Sequence, residues 1–180
     1  MIKRVVFLVV VLFGCAALFV SFAANTHSQP ITLSDRKVIY ELPFAGILPD
    51  SPLYVIKQIR DTIIEFMTRD YMKKSELLLV ASDKKINMAL QLSKKGKVKL
   101  MLETLKAAEK QANSIPDIIA ESRKQGVSPY EGFTFKLKLS NVKHREVIEQ
   151  LIEELPQGQE QNINTALELN AETKRKLDVL

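Results

Sequence analysis

Apolar residues at Val98, Met101, Leu105, Ala108, Ala112, Ile115 and Ile119 recur at alternating spacings of three and four. That period gathers all of them on one face of an α-helix and on no single face of a strand. The same spacing returns at Ile56, Ile59, Ile63 and Phe66, with Ile64 and Met67 widening the stripe. It returns again at Met72, Ser75, Leu79, Ser82, Ile86, Ala89 and Ser93. Several members of this last stripe are small, which predicts close approach of a neighbouring helix. A fourth helix is expected from after Ser128 to Pro156, and a weaker fifth from Gln159 to Leu177 carries Ile163, Ala166, Leu167 and Ala171. The chain therefore reads as all-α: an antiparallel bundle of about four to five helices, preceded by a Pro-rich extended strap and an N-terminal hydrophobic helix.

Punctuation between the stripes supports this division. Gly96, after Lys94 and Lys95, and Gly126 suit left-handed C-terminal stops. Ser51 and Pro52 are expected to open the first helix, as cap and first helical residue. Ser114-Ile115-Pro116-Asp117 is expected to form a capping box that restarts the third helix across a proline kink. Ser128-Pro129-Tyr130-Glu131 has the same form and is expected to open the fourth. Phe133 to Leu139 alternates as a strand would. The cap before it and the helical stretch from Val142 to Leu155 nonetheless assign it to helix.

The N-terminus follows a different pattern. Met1-Ile2-Lys3-Arg4 precedes twenty residues without charge, Val5 to Ala24, which fits a signal-peptide core and also a minimal membrane span. The positive end stays in the cytoplasm in either case. Three outcomes compete: signal-peptidase cleavage between Ala23 and Ala24, retention as an N-terminal transmembrane anchor, or lipidation of Cys15 in a lipobox-like Leu12-Phe13-Gly14-Cys15. Bulky Phe13 and the apolar run Ala16 to Val20 count against the last. Each outcome exports residues 25 to 180, anchored in the membrane or released as a secreted or periplasmic domain. Cys15 is the one cysteine of the chain, so the exported part holds none. Disulfides, thiolate nucleophiles and Cys-based zinc sites are thereby excluded from it.

Three regions result: residues 1–24 as signal peptide or membrane anchor, 25–37 as polar tether, and 38–180 as the helical domain. Setting Lys3 and Arg4 aside takes the 26 basic residues to 24 against 21 acidic, too even a balance to name a polyanionic partner. From Tyr40 to Tyr54, Pro43, Pro49 and Pro52 hold the chain extended. Its apolar residues call for burial, so Leu42, Pro43, Gly46, Leu48, Pro49, Pro52 and Tyr54 are expected to form a structural strap along a groove of the bundle.

The stretch YELPFAGILPDSPLYVIKQIRD, Tyr40 to Asp61, resembles the opening box of an uncharacterised prokaryotic domain-of-unknown-function family of exported or membrane-anchored helical proteins. The resemblance continues through Lys73-Lys74-Ser75-Glu76, Ala81-Ser82-Asp83-Lys84-Lys85 and Lys143-His144-Arg145-Glu146-Val147-Ile148, covering roughly residues 40–170. Tyr71 stands where that family usually carries proline, and Pro116 interrupts the third helix. The resemblance implies export and helical architecture and brings no activity.

Candidate chemistry is sparse. His27 falls in the tether. His144 lies in phase with Leu137, Ser140, Val147 and Leu151, so it points to the packed side, where a hydrogen-bonded helix histidine is expected ahead of a ligand or catalytic one. No His-x-x-x-His or Glu-x-x-His spacing offers a metal or haem site. Asp61 with Glu65, and Glu149 with Glu153, are one turn apart on charged helices, where carboxylates are normally solvated. With six glycines and no Gly-rich loop, a phosphate cradle is not expected. Basic clusters at Lys73-Lys74, Lys84-Lys85, Lys94 to Lys99 and Lys174-Arg175-Lys176 lack interleaved aromatics, so no nucleic acid is expected as partner. The sequence thus points to a non-enzymatic exported module without cofactor. Its expected partners are the membrane, through the N-terminal segment, and an envelope protein or anionic polymer. The competing readings are a membrane-anchored regulator or sensor, weakened by having only Met1 to Arg4 inside, and an enzyme with an unrecognised site.

Overall fold

The computed structural model describes residues 32–34, 37–155 and 160–180. The leader, with Cys15, Ala23 and Ala24, and most of the tether, with His27, lie outside the described residues, as do Pro156, Gln157 and Gly158. A short two-stranded ladder pairs β1 (Thr32–Ser34) with β2 (Lys37–Ile39). The extended strap follows, then five helices: α1 (Tyr54–Met67), α2 (Tyr71–Lys94), α3 (Val98–Lys124), α4 (Phe133–Glu153) and α5 (Glu160–Asp178). Apart from that ladder, the described residues form an all-α bundle. The doubtful segment Phe133 to Leu139 is the first two turns of α4.

Helices α2 to α5 enclose the core. α3 packs on α2 and α5, α4 packs on α5 and α2, and α3 and α4 stand diagonally opposite. Two apolar layers result. One gathers Ile86, Leu92, Met101, Leu105, Ile148, Leu151 and Ile163; the other gathers Leu78, Leu79, Ile115, Ile119, Phe133, Leu137 and Leu177. All four helices contribute to both layers. Each helix also places a buried polar side chain between the two layers, Asp83, Glu109, His144 and Asn170, and these form the centre described below.

Helix ends explain the boundaries. Asp70 accepts the amide of Lys73 at 2.8 Å and so caps α2. Gly96 and Gly126 sit at φ +67° and +79°. There the amides of Lys97 and Val127 reach back to the carbonyls of Leu92 and Ser122 and close both helices.

Three expected caps are corrected. Ser51 does not cap α1, which starts at Tyr54. Ser51 instead joins two successive turns, its amide bonding the Leu48 carbonyl and its own carbonyl accepting from Tyr54. Ser114 forms no box. α3 runs unbroken through the buried Pro116, and the Ser114 hydroxyl donates back to the Gln111 carbonyl at 2.7 Å, as a serine inside a helix does. The carbonyl of Asn113, one turn before Pro116, receives the Lys176 ammonium at 3.4 Å. Ser128 does not cap α4 either. That helix begins after Gly132, at φ +85°, a conformation open to glycine and strained for other residues. Phe133, fully buried, pins the first turn.

Candidate functional site

Six polar side chains meet in the interior of the bundle. Asp83 comes from α2, Glu109 from α3, Ser140 and His144 from α4, Asn170 from α5, and Tyr40 from the head of the strap. His144 and Glu109 have no exposed surface, and Asp83, Ser140 and Asn170 almost none. His144 Nδ1 donates to Glu109 Oε1 at 2.8 Å and Nε2 donates to Asp83 Oδ1 at 2.9 Å. The same Asp83 oxygen accepts the Ser140 hydroxyl at 2.6 Å, and Asp83 Oδ2 accepts the Tyr40 phenol at 2.5 Å. Glu109 Oε2 accepts the amide of Asn170 at 3.1 Å. Asn170 and Asn141 also exchange side-chain amide to backbone carbonyl bonds, each at 3.1 Å, and tie α4 to α5.

Electrostatics fix the protonation of the ring. Burial works against a charged imidazole, but the Glu109 charge and the hydrogen bonds the ring donates to both carboxylates outweigh it and hold His144 at about 10. At neutral pH the ring is therefore imidazolium, both nitrogens donate, and no lone pair is left to bind a metal or take a proton. Burial, reinforced by Asp83, raises the Tyr40 phenol and keeps it a neutral donor. Among the described residues no buried side-chain nitrogen or oxygen lacks a partner. A cavity of about 10 Å³ beside His144, lined by Leu79, Ile115, Pro116, Leu137 and Thr173, has room for roughly one water. What this arrangement does chemically is hold: one imidazolium between two carboxylates joins α2, α3 and α4, and Tyr40 fastens the strap to them.

The strap lies as an extended cover. Ala45 and Leu48 are buried against Met88 of α2, with half-buried Tyr54 packed beside them. Leu42 packs on the larger apolar layer, and the Pro43 carbonyl accepts the Asn87 amide at 2.9 Å. Gly46 turns the chain at φ +71°, Pro49 is half-buried and Pro52 exposed. Phe44 remains largely in solvent, 78% exposed.

A second feature lies on α1, where the amphipathic pattern is inverted relative to the rest of the molecule. No residue of α1 is buried. Val55, Ile56, Ile59, Ile63, Phe66 and Met67 face outward, from 51% exposed at Ile63 to 86% at Phe66. The less exposed positions include Lys57, Arg60, Asp61 and Glu65. Lys57 and Arg60 pair with Asp61 at 3.2 and 2.7 Å, and Lys57 lies over the Tyr54 ring. Beneath them are Lys84 and Lys85 of α2, both lowered by burial first and by Lys57 second. α1 thus meets the bundle through a mostly charged seam, with Tyr54 and Ile64 as its apolar members. Leaving each large apolar side chain mostly in water forgoes on the order of 1–2 kcal/mol relative to burial. A shallow groove lined by Val55, Gln58, Ile59, Thr62 and Ile63 runs along this face.

The sequence placed His144 inward and hydrogen-bonded, and the structure finds it so. Its partners were missed. Asp83 and Glu109 each follow an apolar stripe residue by four positions, Leu79 and Leu105, so their phase was the available signal. Among the described residues no helix is long and apolar enough to cross a membrane. A family model, a domain of unknown function (DUF5667), matches residues 46–158, inside the range the resemblance implied. No curated protein and no solved structure gives a match.

Proposed function

The chain belongs to the DUF5667 family, whose description carries no activity, so from its own surfaces we propose that it is a non-enzymatic interaction module of the cell envelope, exported behind its N-terminal segment and working through the outward face of α1. The observation that carries this reading is the inverted helix. Contiguous exposed apolar patches rimmed by polar residues, when larger than the few hundred Å² a monomer ordinarily shows, mark places where something else docks. The polar centre supports the reading from the other side, because its ring nitrogens and carboxylates are spent on one another and are sealed from solvent.

The test is thiol labelling in the native cell. In a Cys15→Ser background, Ile59→Cys and Lys106→Cys, both at exposed positions, are treated with a membrane-impermeant maleimide on spheroplasts. An exported module with a covered α1 face labels readily at position 106 and slowly at 59, and both label after denaturation. Equal labelling at the two positions removes the docking face, and labelling at 106 only after lysis removes export.

A further inference from the structure

We propose that the occupant of the α1 face is the outer surface of the membrane itself: α1 lies in the interface with Val55, Ile56, Ile59, Ile63, Phe66 and Met67 among the acyl chains, and the bundle stands on it. This rests on the reading of α1 as a docking face. A helix that lies in the interface needs a strong apolar face opposite a charged one and needs no spanning length. α1 has both faces, and its charged face, where Lys57 and Arg60 pair with Asp61 within the helix, lies over Lys84 and Lys85 of α2. Its apolar arc carries no acidic side chain, and Arg69 and Lys73, both exposed, follow at its C-terminal end within reach of lipid phosphates.

Chain length selects the bilayer as the nearest apolar phase. The apolar run ends at Ala24, and Asn25 to Lys37 span at most roughly 45 Å even when fully drawn out, at about 3.5 Å per residue. With the N-terminal segment retained as the anchor, the domain stays close to the surface that segment enters. A second copy is the weaker occupant. Fourteen residues make a helix about 21 Å long and roughly 10 Å wide. That strip carries six large apolar residues, against the roughly 20–30 residues a side of a standard interface. A bilayer needs no matching contour and accepts a strip of this size.

The experiment uses the full chain, in the Cys15→Ser background, reconstituted in mixed phosphatidylethanolamine and phosphatidylglycerol vesicles. Nitroxide labels are placed at Ile59→Cys, Phe66→Cys and, as the aqueous reference, Lys106→Cys. Their collision rates are read with oxygen, which partitions into lipid, and with a water-soluble nickel chelate. The proposal expects oxygen to dominate at 59 and 66 and nickel at 106. Adding Ile63→Asp should cut the oxygen preference at 59 roughly 10- to 100-fold, the equivalent of one buried apolar side chain. Nickel dominance at all three positions overturns the lipid assignment. Dipolar broadening at 59 without oxygen preference also overturns it, in favour of a second copy, and leaves the docking face intact. Equal maleimide labelling in cells is the separate result that would remove the docking face. Since 59, 63 and 66 are exposed, unchanged far-UV circular dichroism is expected of every variant.

Discussion

α1 and the α2–α5 bundle are built from the same three-four spacing and use it in opposite directions. In the bundle the apolar stripes face inward and the one polar layer among them is saturated with partners. In α1 the stripe faces outward and the charged side is turned in, onto Lys84 and Lys85. The difference shows that hydrophobic period fixes which residues share a face, while the identity of the neighbour fixes where that face points. α2 already buries its apolar residues against α3 and α4, and toward α1 it has lysines to offer.

The sharpest way to break this comparison is to remove the cation from the centre. His144→Gln leaves Asp83 and Glu109 buried without a counter-charge, and a loss of about 3–5 kcal/mol is expected in denaturant unfolding. A loss under about 1 kcal/mol would mean that the polar layer is not what holds the bundle. The pH profile gives the next effect. His144 titrates at about 10 in the fold against an ordinary 6.5, so the folded state holds its proton more tightly. The stability this supplies is complete below about pH 6.5 and is lost as the pH rises through about 10. Lys84 and Lys85, lowered by burial, act in the opposite sense. The slope between pH 7 and 9.5 should therefore be compared with that of His144→Gln, in which the alkaline loss disappears.

Asn170→Leu strands Glu109 Oε2 and unties Asn141, and is expected to cost about 2–3 kcal/mol. Tyr40→Phe removes one donor to Asp83 and should cost about 1–2 kcal/mol. It should also raise the rate of proteolysis within residues 41–53 while leaving α2 to α5 resistant. At the other pole of the comparison, Phe66→Ser on α1 is expected to shift stability by less than about 0.5 kcal/mol. A large loss there would show that α1 is packed like the bundle helices.

Helix number, helix order, the Gly96 and Gly126 stops and the inward phase of His144 were legible because each depends on residues near in sequence. The start points of α1 and α4 were not. Ser51 and Ser128 have the right chemistry for caps, but turns at Leu48 to Tyr54 and the left-handed Gly132 place the first helical residue later. The polar centre was half legible. His144, Asp83, Glu109 and Asn170 each sit at a stripe spacing, yet a charged residue there also suits the wet border of a helix. Only their convergence from four helices, which no local pattern encodes, makes them one object. The direction of α1 was illegible for the same reason.

The Asn141–Asn170 exchange has a consequence for alignment. Apolar layers tolerate sliding, because one Leu or Ile surface resembles the next. If α5 slipped one turn along α4, about 5.4 Å, Asn141 would face Ala166 or Lys174 in place of Asn170. Glu109 would lose its amide donor in the same step. Intermediate positions satisfy neither helix, so the pair works as an index pin, allowing one seating of α5 and none partway.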